Sequence, residues 1–232
     1  LQKTIPDLVT STIEKSDKSL IVILSPLLDD GVFSLGGLMS KRQSELLVAT
    51  FFTRKPASIM HTEWDRISGF SDSNQAVSVR IKENQTALRP FNAIVKNYDY
   101  PDFQYRKENQ DKEIKDSIIS DIKSIIASYK DRQIFIFGPA EFGLEITHPD
   151  HQIVHDALMV VTKVNNNTNV HFFIYEDFPY IYRFTTTKHN SLNTYLNSLY
   201  NIKFQEAQIG LTKTELSKKV SGIYTYTSRI KA

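Results

Sequence analysis

Apolar residues along this chain alternate between short continuous runs and stretches with helical spacing, a pattern typical of an α/β domain. Four short runs are apolar on both faces, as expected for buried strands of a parallel sheet, and they comprise residues 19–25, 46–53, 134–137 and 169–175. Amphipathic helices are predicted over residues 73–91 and 111–129, and a third helix is predicted to begin near Asp150. The pattern predicts one open, mostly parallel sheet with helices on both faces.

The predicted sheet directs attention to a few loops. Open parallel sheets bind their ligands at the carboxyl ends of the strands. The functional side chains are therefore expected in the loops that follow Leu24, Thr53, Phe137 and Tyr175.

The pattern becomes less regular from about residue 182. Residues 204–212 are compatible with a strand, and residues 213–229 are compatible with a helix. We expect residues 1–232 to form a single domain, with residues 182–232 as a less regular extension of it.

Composition excludes several classes of protein. With 28 Lys and Arg against 26 Asp and Glu, the net charge of +2 lacks the footprint of a dedicated nucleic-acid binder, so no nucleic-acid partner is expected. The absence of Cys excludes disulfides, thiolate metal sites and a Cys nucleophile. No apolar run approaches the roughly 20 residues that span a bilayer, and we expect a cytoplasmic protein. The chain begins at Leu1 rather than Met, and the sequence leaves its true termini and oligomeric state open.

Two adjacent carboxylates, Asp29 and Asp30, follow the first predicted strand. Neighbouring side chains that diverge at the end of a buried strand can serve two roles, one at a metal and one at a substrate or water. The alternative is an ordinary turn in which an Asp caps the next helix.

Three of the six His residues, His148, His151 and His155, fall within eight positions. Histidine is the commonest metal ligand and the usual acid or base near neutral pH. The alternative is a surface loop with solvated His side chains, and His155 fits a packed or solvated helix position better than a ligand position.

These motifs resemble the LmbE-like, or PIG-L-like, N-acetylglucosaminyl deacetylases, which are zinc-dependent amidohydrolases on a Rossmann-like sheet. The family's Pro-His-Pro-Asp-Asp-Glu motif with a following Gly-Gly is similar to residues 26–37, and its His-Pro-Asp-His motif is intact at residues 148–151. Weaker similarities lie at residues 80–83 for Arg-x-x-Glu and at residues 176–180 for an acidic-apolar-Pro-Tyr segment. A late Tyr-x-Ser-Gln motif resembles residues 226–229, which end in Arg229.

The resemblance implies specific catalytic roles. Asp29 corresponds to the general base, Asp30 and His151 correspond to metal ligands, and His148 corresponds to the residue that assists the oxyanion and the leaving amine. Such a set suits amide hydrolysis, which needs a Lewis acid, a base for the water and a proton donor for the amine.

The resemblance also implies a substrate and two residues that contact it. Arg80 and Tyr180 correspond to substrate-binding positions, and the expected small-molecule partner is an N-acyl amino sugar or its glycoside.

Departures from the family pattern concern the metal. Leu27 stands where the family has its first ligand His, and Gly31 stands where the motif has Glu. A catalytic zinc site normally has three protein ligands, whereas the matched positions supply only two, so the cofactor, zinc or another divalent metal, is in doubt. Substitute ligands would have to come from other carboxylates or imidazoles, and the candidates are Glu141, Glu145, His61 and His155.

Three functional hypotheses follow. The first is a deacetylase with a substitute metal ligand, and the second is a metal-free enzyme that uses Asp29 and His148 as an acid/base pair. The third is a non-catalytic relative that binds a sugar or a partner through the former cleft.

Overall fold

A computed structural model describes residues 19–107, 109–140, 148–181, 196–197, 200, 204 and 206–230. These residues contain a five-stranded sheet in the order β3-β2-β1-β4-β5, in which every adjacent pair is parallel. The strands are β1 (Ser19–Ser25), β2 (Glu45–Thr50), β3 (Ile94–Asn97), β4 (Gln133–Pro139) and β5 (Val170–Tyr175). The predicted α/β class and Rossmann-like sheet are confirmed.

Helices cover both faces of this sheet. They are α1 (Asp30–Lys41), α2 (Glu63–Ile67), α3 (Ser73–Leu88), α4 (Asp111–Ser128), α5 (Pro149–Val164), α6 (Lys213–Tyr224) and α7 (Thr227–Ile230). Short 3-10 turns occupy Arg89–Phe91 and Phe103–Tyr105. No helix within these residues is long and apolar enough to cross a membrane.

The central strand β1 explains why the core has two halves. All seven of its residues are buried, and successive side chains point to opposite faces of the sheet. Leu20, Val22 and Leu24 pack in the half that contains α4 and α5. Ile21 and Ile23 pack in the other half, with α1 and the end of α3. A strand buried on both faces must be apolar throughout, which is why the sequence marked it so clearly.

The strand order places a ligand crevice beside β1. From β1 the chain proceeds to β2 and β3 on one side, and β4 and β5 lie on the other side. The order therefore reverses between β1 and β4, and crevices at such reversals open at the carboxyl ends of the strands.

Several predicted boundaries need correction. The second strand ends at Thr50 rather than residue 53, and the short strand β3 was not predicted because its residues are largely exposed at the sheet edge. The predicted strand over residues 204–212 is wrong, since the described residues there belong to no strand. The predicted helix over residues 213–229 is interrupted, because the buried Tyr226 separates α6 from α7 and donates its hydroxyl hydrogen bond to Asn84 at 2.8 Å.

Candidate active site

Four elements bring the sequence-predicted residues together. Asp29 ends the loop after β1, and Asp30 is the first residue of α1. His148 immediately precedes α5, and His151 lies in the first turn of that helix. Because β1 and β4 are neighbours in the sheet, the loops that follow them meet at one edge.

His151 lies between two carboxylates at the base of the site. Its Nε2 is 3.1 Å from Asp30 Oδ2, and its Nδ1 is 3.1 Å from Asp177 Oδ1. Burial lowers the pKa of His151, but the two carboxylates outweigh burial and hold that pKa well above its usual value. Burial likewise raises the pKa of Asp30, but His151 outweighs it and the net pKa is lowered. The Asp30 Oδ2 atom also accepts a hydrogen bond from the Leu27 N–H at 2.7 Å.

Asp29 is bound to an arginine from the far end of the chain. Arg229 Nε lies 3.0 Å from Asp29 Oδ2, and Arg229 Nη2 donates to Asp29 Oδ1 at 3.2 Å. Asp29 occupies the N-cap position of α1, but its side chain caps no backbone N–H, so the capping role does not explain the carboxylate. Burial raises the pKa of Asp29, Arg229 opposes that rise and the adjacent Asp30 adds to it.

His148 is fixed by the start of helix α5. Its Nδ1 accepts a hydrogen bond from the Asp150 N–H at 3.3 Å, which assigns the ring proton of the neutral form to Nε2. Burial and the charge of His151 lower the pKa of His148 to about 4, so the ring is neutral at pH 7. A neutral His148 can therefore offer one N–H donor.

The buried carboxylate of Asp150 anchors the first turn of α5. It accepts hydrogen bonds from the Phe103 N–H at 3.0 Å and from Arg106 at 2.5 Å. The Phe103 and Tyr180 rings lie 6.3 and 6.5 Å from the His148 ring, and Tyr180 is 5.0 Å from His151. Tyr180 thus lies beside His148 and His151, the two histidines that were predicted to belong to the site.

Arg80 is placed differently. It is buried and pairs with Asp65 at 3.1 Å, while Asp65 also accepts the hydroxyl of Tyr105 at 2.6 Å. The Arg80 guanidinium also lies over the Phe70 ring. Its direct contacts are therefore with residues around α2, although its positive charge also acts to lower the pKa of Asp29, and its contact with substrate stays a prediction.

Asp177 and Arg229 are site residues that no local sequence pattern indicated. Both lie in segments that resemble family motifs, residues 176–180 and 226–229, but the resemblance implied no contact for either residue. With them, the site contains the three carboxylates Asp29, Asp30 and Asp177 beside Arg229 and His151.

Leu27 and Gly31, which the family resemblance marks as departures from the motif, both occupy buried positions. Leu27 is buried in the apolar half of the core that contains α4 and α5. Gly31 is packed against β1, where a Cβ atom would lie 3.3 Å from Ser25 Oγ and 3.5 Å from Ile23 Cγ2. A side chain at that position would therefore begin in close contact with the Ser25 hydroxyl.

A catalytic zinc ion normally requires three protein ligands. Asp30 Oδ2 and His151 Nε2 are close enough to share one metal ion, and the contact of Asp177 with His151 Nδ1 is typical of a residue that orients a ligand. Across the described ranges, however, no group of three His, Cys, Asp or Glu residues is arranged to hold a metal. The described residues therefore do not fit a three-ligand zinc site.

The substitute ligands considered from the sequence lie elsewhere. His155 is buried, with Nδ1 2.8 Å from the Pro139 carbonyl and Nε2 2.5 Å from the Tyr200 hydroxyl. His61 is exposed, with Nδ1 2.8 Å from the Ser71 carbonyl. Glu141 and Glu145 lie outside the described residues.

Comparisons with known proteins agree with the fold and the motifs. Teicoplanin deacetylase Orf2 in a zinc-inhibited form has a TM-score of 0.68 at 21% identity, over 90% of this chain and 84% of that one. The A40926 pseudoaglycone deacetylase Dbv21 has a TM-score of 0.68 at 19% identity, over 94% and 84%. The N,N'-diacetylchitobiose deacetylase from Pyrococcus horikoshii has a TM-score of 0.51 at 13% identity, over 97% and 76%. At these identities the likeness establishes the fold.

No match was found among curated protein sequences. A family profile described as PIG-L: GlcNAc-PI de-N-acetylase matches residues 22–162, which is more than half of the chain and includes Asp29, Asp30, His148 and His151. The chain therefore belongs to the PIG-L family.

Proposed function

We propose that this protein is an amidohydrolase that removes the acyl group from an N-acyl amino sugar or its glycoside, with an altered metal site. The observation that carries the proposal is the convergence of Asp29 and His148 beside the pair formed by Asp30 and His151. Family membership supports it, as do the names of the structural neighbours, which describe deacetylases of teicoplanin, of A40926 pseudoaglycone and of N,N'-diacetylchitobiose.

The residues of this chain divide the work of amide hydrolysis. Asp29 accepts a proton as water attacks the acyl carbon, and the His148 N–H donates a hydrogen bond to the acyl oxygen. The C–N bond then breaks and the amine nitrogen takes up the proton that Asp29 had accepted, which releases the carboxylic acid and the free amino sugar. No step is assigned to a metal, because the described donors form no three-ligand site.

Tyr180 is proposed to contact the sugar, because its ring lies beside both His148 and His151. Arg80 is proposed to hold α2 and α3 beside the cleft through Asp65, and its direct contact with substrate awaits a test.

The test measures amine and acetate released from N-acetylglucosamine, N,N'-diacetylchitobiose and an N-acetylglucosaminyl glycoside. Asp29→Asn and His148→Ala are each expected to reduce kcat/KM by about 10²–10⁴-fold, the usual contribution of a general acid or base. His61→Ala, at an exposed histidine, is the matched control and should retain the parent rate. Equal turnover by parent, Asp29→Asn and His148→Ala would refute the assigned roles.

A non-catalytic sugar-binding relative is the second candidate, and the observations that favour it are the Asp29–Arg229 ion pair and Leu27 at a ligand position. It predicts saturable binding of the same sugars with no release of acetate. Turnover that disappears in Asp29→Asn would eliminate it.

A further inference from the structure

The Arg229 guanidinium forms a bidentate ion pair with the Asp29 carboxylate. Two parallel N–H donors face the two carboxylate oxygens at 3.0 and 3.2 Å, the geometry that makes Arg–carboxylate pairs strong. The guanidinium carbon also lies 5.6 Å from the centroid of the exposed Trp64 ring. Most of the Arg229 side chain is buried.

The backbone that carries Arg229 is anchored independently. Glu83 accepts hydrogen bonds from the Thr227 hydroxyl at 2.8 Å, the Ser228 N–H at 2.9 Å and the Ser228 hydroxyl at 2.6 Å. Next to it, Asn84 accepts the Tyr226 hydroxyl. Helix α3 thus fixes residues 226–228, and these residues set the point from which Arg229 reaches the site.

The position of Arg229 affects how well the cleft can bind a divalent cation. Asp29 is adjacent in sequence to Asp30, so the fixed positive charge of Arg229 lies close to the Asp30–His151 pair. A positive charge at this range opposes the binding of a divalent cation, and in a buried site solvent screens the repulsion weakly. Leu27 adds a second obstacle, since it supplies no ligand atom.

We infer that Arg229 takes the place of the metal's positive charge in this cleft, neutralising Asp29 and disfavouring a divalent cation at Asp30 and His151. This inference concerns the cleft of the proposed function, but it does not require turnover. It assigns Arg229 as a positioning residue that holds Asp29 and sets the charge of the cleft.

The experiment measures zinc affinity by isothermal titration calorimetry, with the zinc-dependent rise in Tm as a second readout, because a ligand that binds only the native state raises Tm. Arg229→Gln is expected to bind zinc about 10–100-fold more tightly than the parent, the range by which residues around a metal site tune affinity. Arg229→Lys keeps the positive charge but loses the two parallel donors, so its zinc affinity should lie between those of the parent and Arg229→Gln. Adding Asp30→Ala to Arg229→Gln should remove the gain.

Arg132→Gln is the matched control. Arg132 is also an ion-paired arginine, bound to Glu45 at 2.8 Å, but it lies at the opposite end of β1, where it contacts the Ser19 carbonyl. This variant removes the same unit of charge and should leave zinc affinity unchanged. An equal gain in Arg132→Gln and Arg229→Gln would show that net charge, rather than the site, controls affinity, and would overturn the inference.

Leu27→His in the Arg229→Gln background should tighten zinc binding further, because it adds an imidazole at the family's ligand position. If that double variant fails to fold, the comparison of parent with Arg229→Gln still decides the result. Tight stoichiometric zinc binding by the parent, unchanged in Arg229→Gln, would refute the inference. Because no readout depends on deacetylation, failure of the sugar assay and failure of this inference are distinguishable.

Discussion

Leu27 packs as a core residue in the loop that follows β1. Its side chain is 5% exposed and lies in an apolar cluster with residues of β1, α4 and α5. Leu27→Ala is expected to lower the free energy of unfolding by about 2–5 kcal/mol, because it removes buried methyl groups and leaves a cavity. Urea denaturation measures the change.

Ile59→Ala is the control for that substitution, since Ile59 is 60% exposed and its truncation should change stability by less than about 0.5 kcal/mol. A loss below about 1 kcal/mol in Leu27→Ala would mean that Leu27 is not an essential part of the core packing.

His155 is predicted to make stability depend on pH. Burial lowers the pKa of His155, whose neutral ring is bound to the Pro139 carbonyl and the Tyr200 hydroxyl. The unfolded chain therefore binds more protons at this residue, so its contribution is present above the unfolded pKa of about 6.5 and is lost as pH falls. His148, with its pKa lowered to about 4, acts in the same direction.

The test compares the free energy of unfolding at pH 7.5 and 5.5 for the parent and His155→Gln. The parent should lose more stability than the variant, by up to about 1.4 kcal/mol. This limit corresponds to one proton over one pH unit, because the unfolded chain takes up the His155 proton only below its pKa of about 6.5. His61→Gln, at the exposed histidine, should lose as much as the parent. An identical pH dependence of parent and His155→Gln would contradict the prediction.

At the scale of elements, the amino ends of two helices build the site. Helix α1 begins at Asp30, and helix α5 has His148 as its cap and His151 in its first turn. The partial positive charge of a helix amino end favours the Asp30 carboxylate. The cap on α5 also fixes which nitrogen of His148 carries the proton, so a helix-capping interaction has a chemical consequence.

The contact between β4 and α5 depends on the absence of a side chain at Gly138. A Cβ atom there would lie 2.4 Å from Leu158 Cδ2, and Leu158 is itself fully packed in the core. Gly138→Ala is expected to destabilise the protein by about 1–3 kcal/mol through overpacking. Thermal denaturation should show a lower Tm.

Gly210→Ala provides the matched comparison, because an added Cβ at Gly210 meets no atom within 4 Å. It should leave Tm nearly unchanged. Equal effects of the two substitutions would show that β4 and α5 do not approach as closely as described.

At the scale of the whole molecule, Glu83 links helix α7 to helix α3. It binds residues that are 144 and 145 positions away, through Thr227 and Ser228. Glu83→Ala is expected to cost about 1–3 kcal/mol, because it leaves buried donors without an acceptor. Trypsin cleavage after Arg229, followed by mass spectrometry, should become faster as residues 226–230 detach.

Glu113→Ala, an exposed position on α4, should leave both stability and cleavage unchanged. If Glu83→Ala behaved like Glu113→Ala, the anchoring of Arg229 would have to come from other contacts.

The sequence by itself determined the parallel sheet and the helices on both faces, and it predicted four residues of the candidate site. Buried strands and amphipathic helices have apolar patterns that can be read locally, and Asp29, Asp30, His148 and His151 lie in compact motifs. The edge strand β3 lacked such a pattern because exposure relaxes the demand for apolar residues. The interruption between α6 and α7 at Tyr226 could not be predicted from the sequence either, because it depends on the hydrogen bond to Asn84 in α3.

Only the tertiary structure decided which charges meet. Arg229 lies 200 residues from Asp29, and Asp177 lies 26 residues from His151, so no local pattern reveals either pair. Leu27 could be identified from the sequence as a non-ligand, but its role in the core depends on α4 and α5. The electrostatics of the cleft follow from the packing of distant segments, because the interaction between charges depends on their distance in space and on burial.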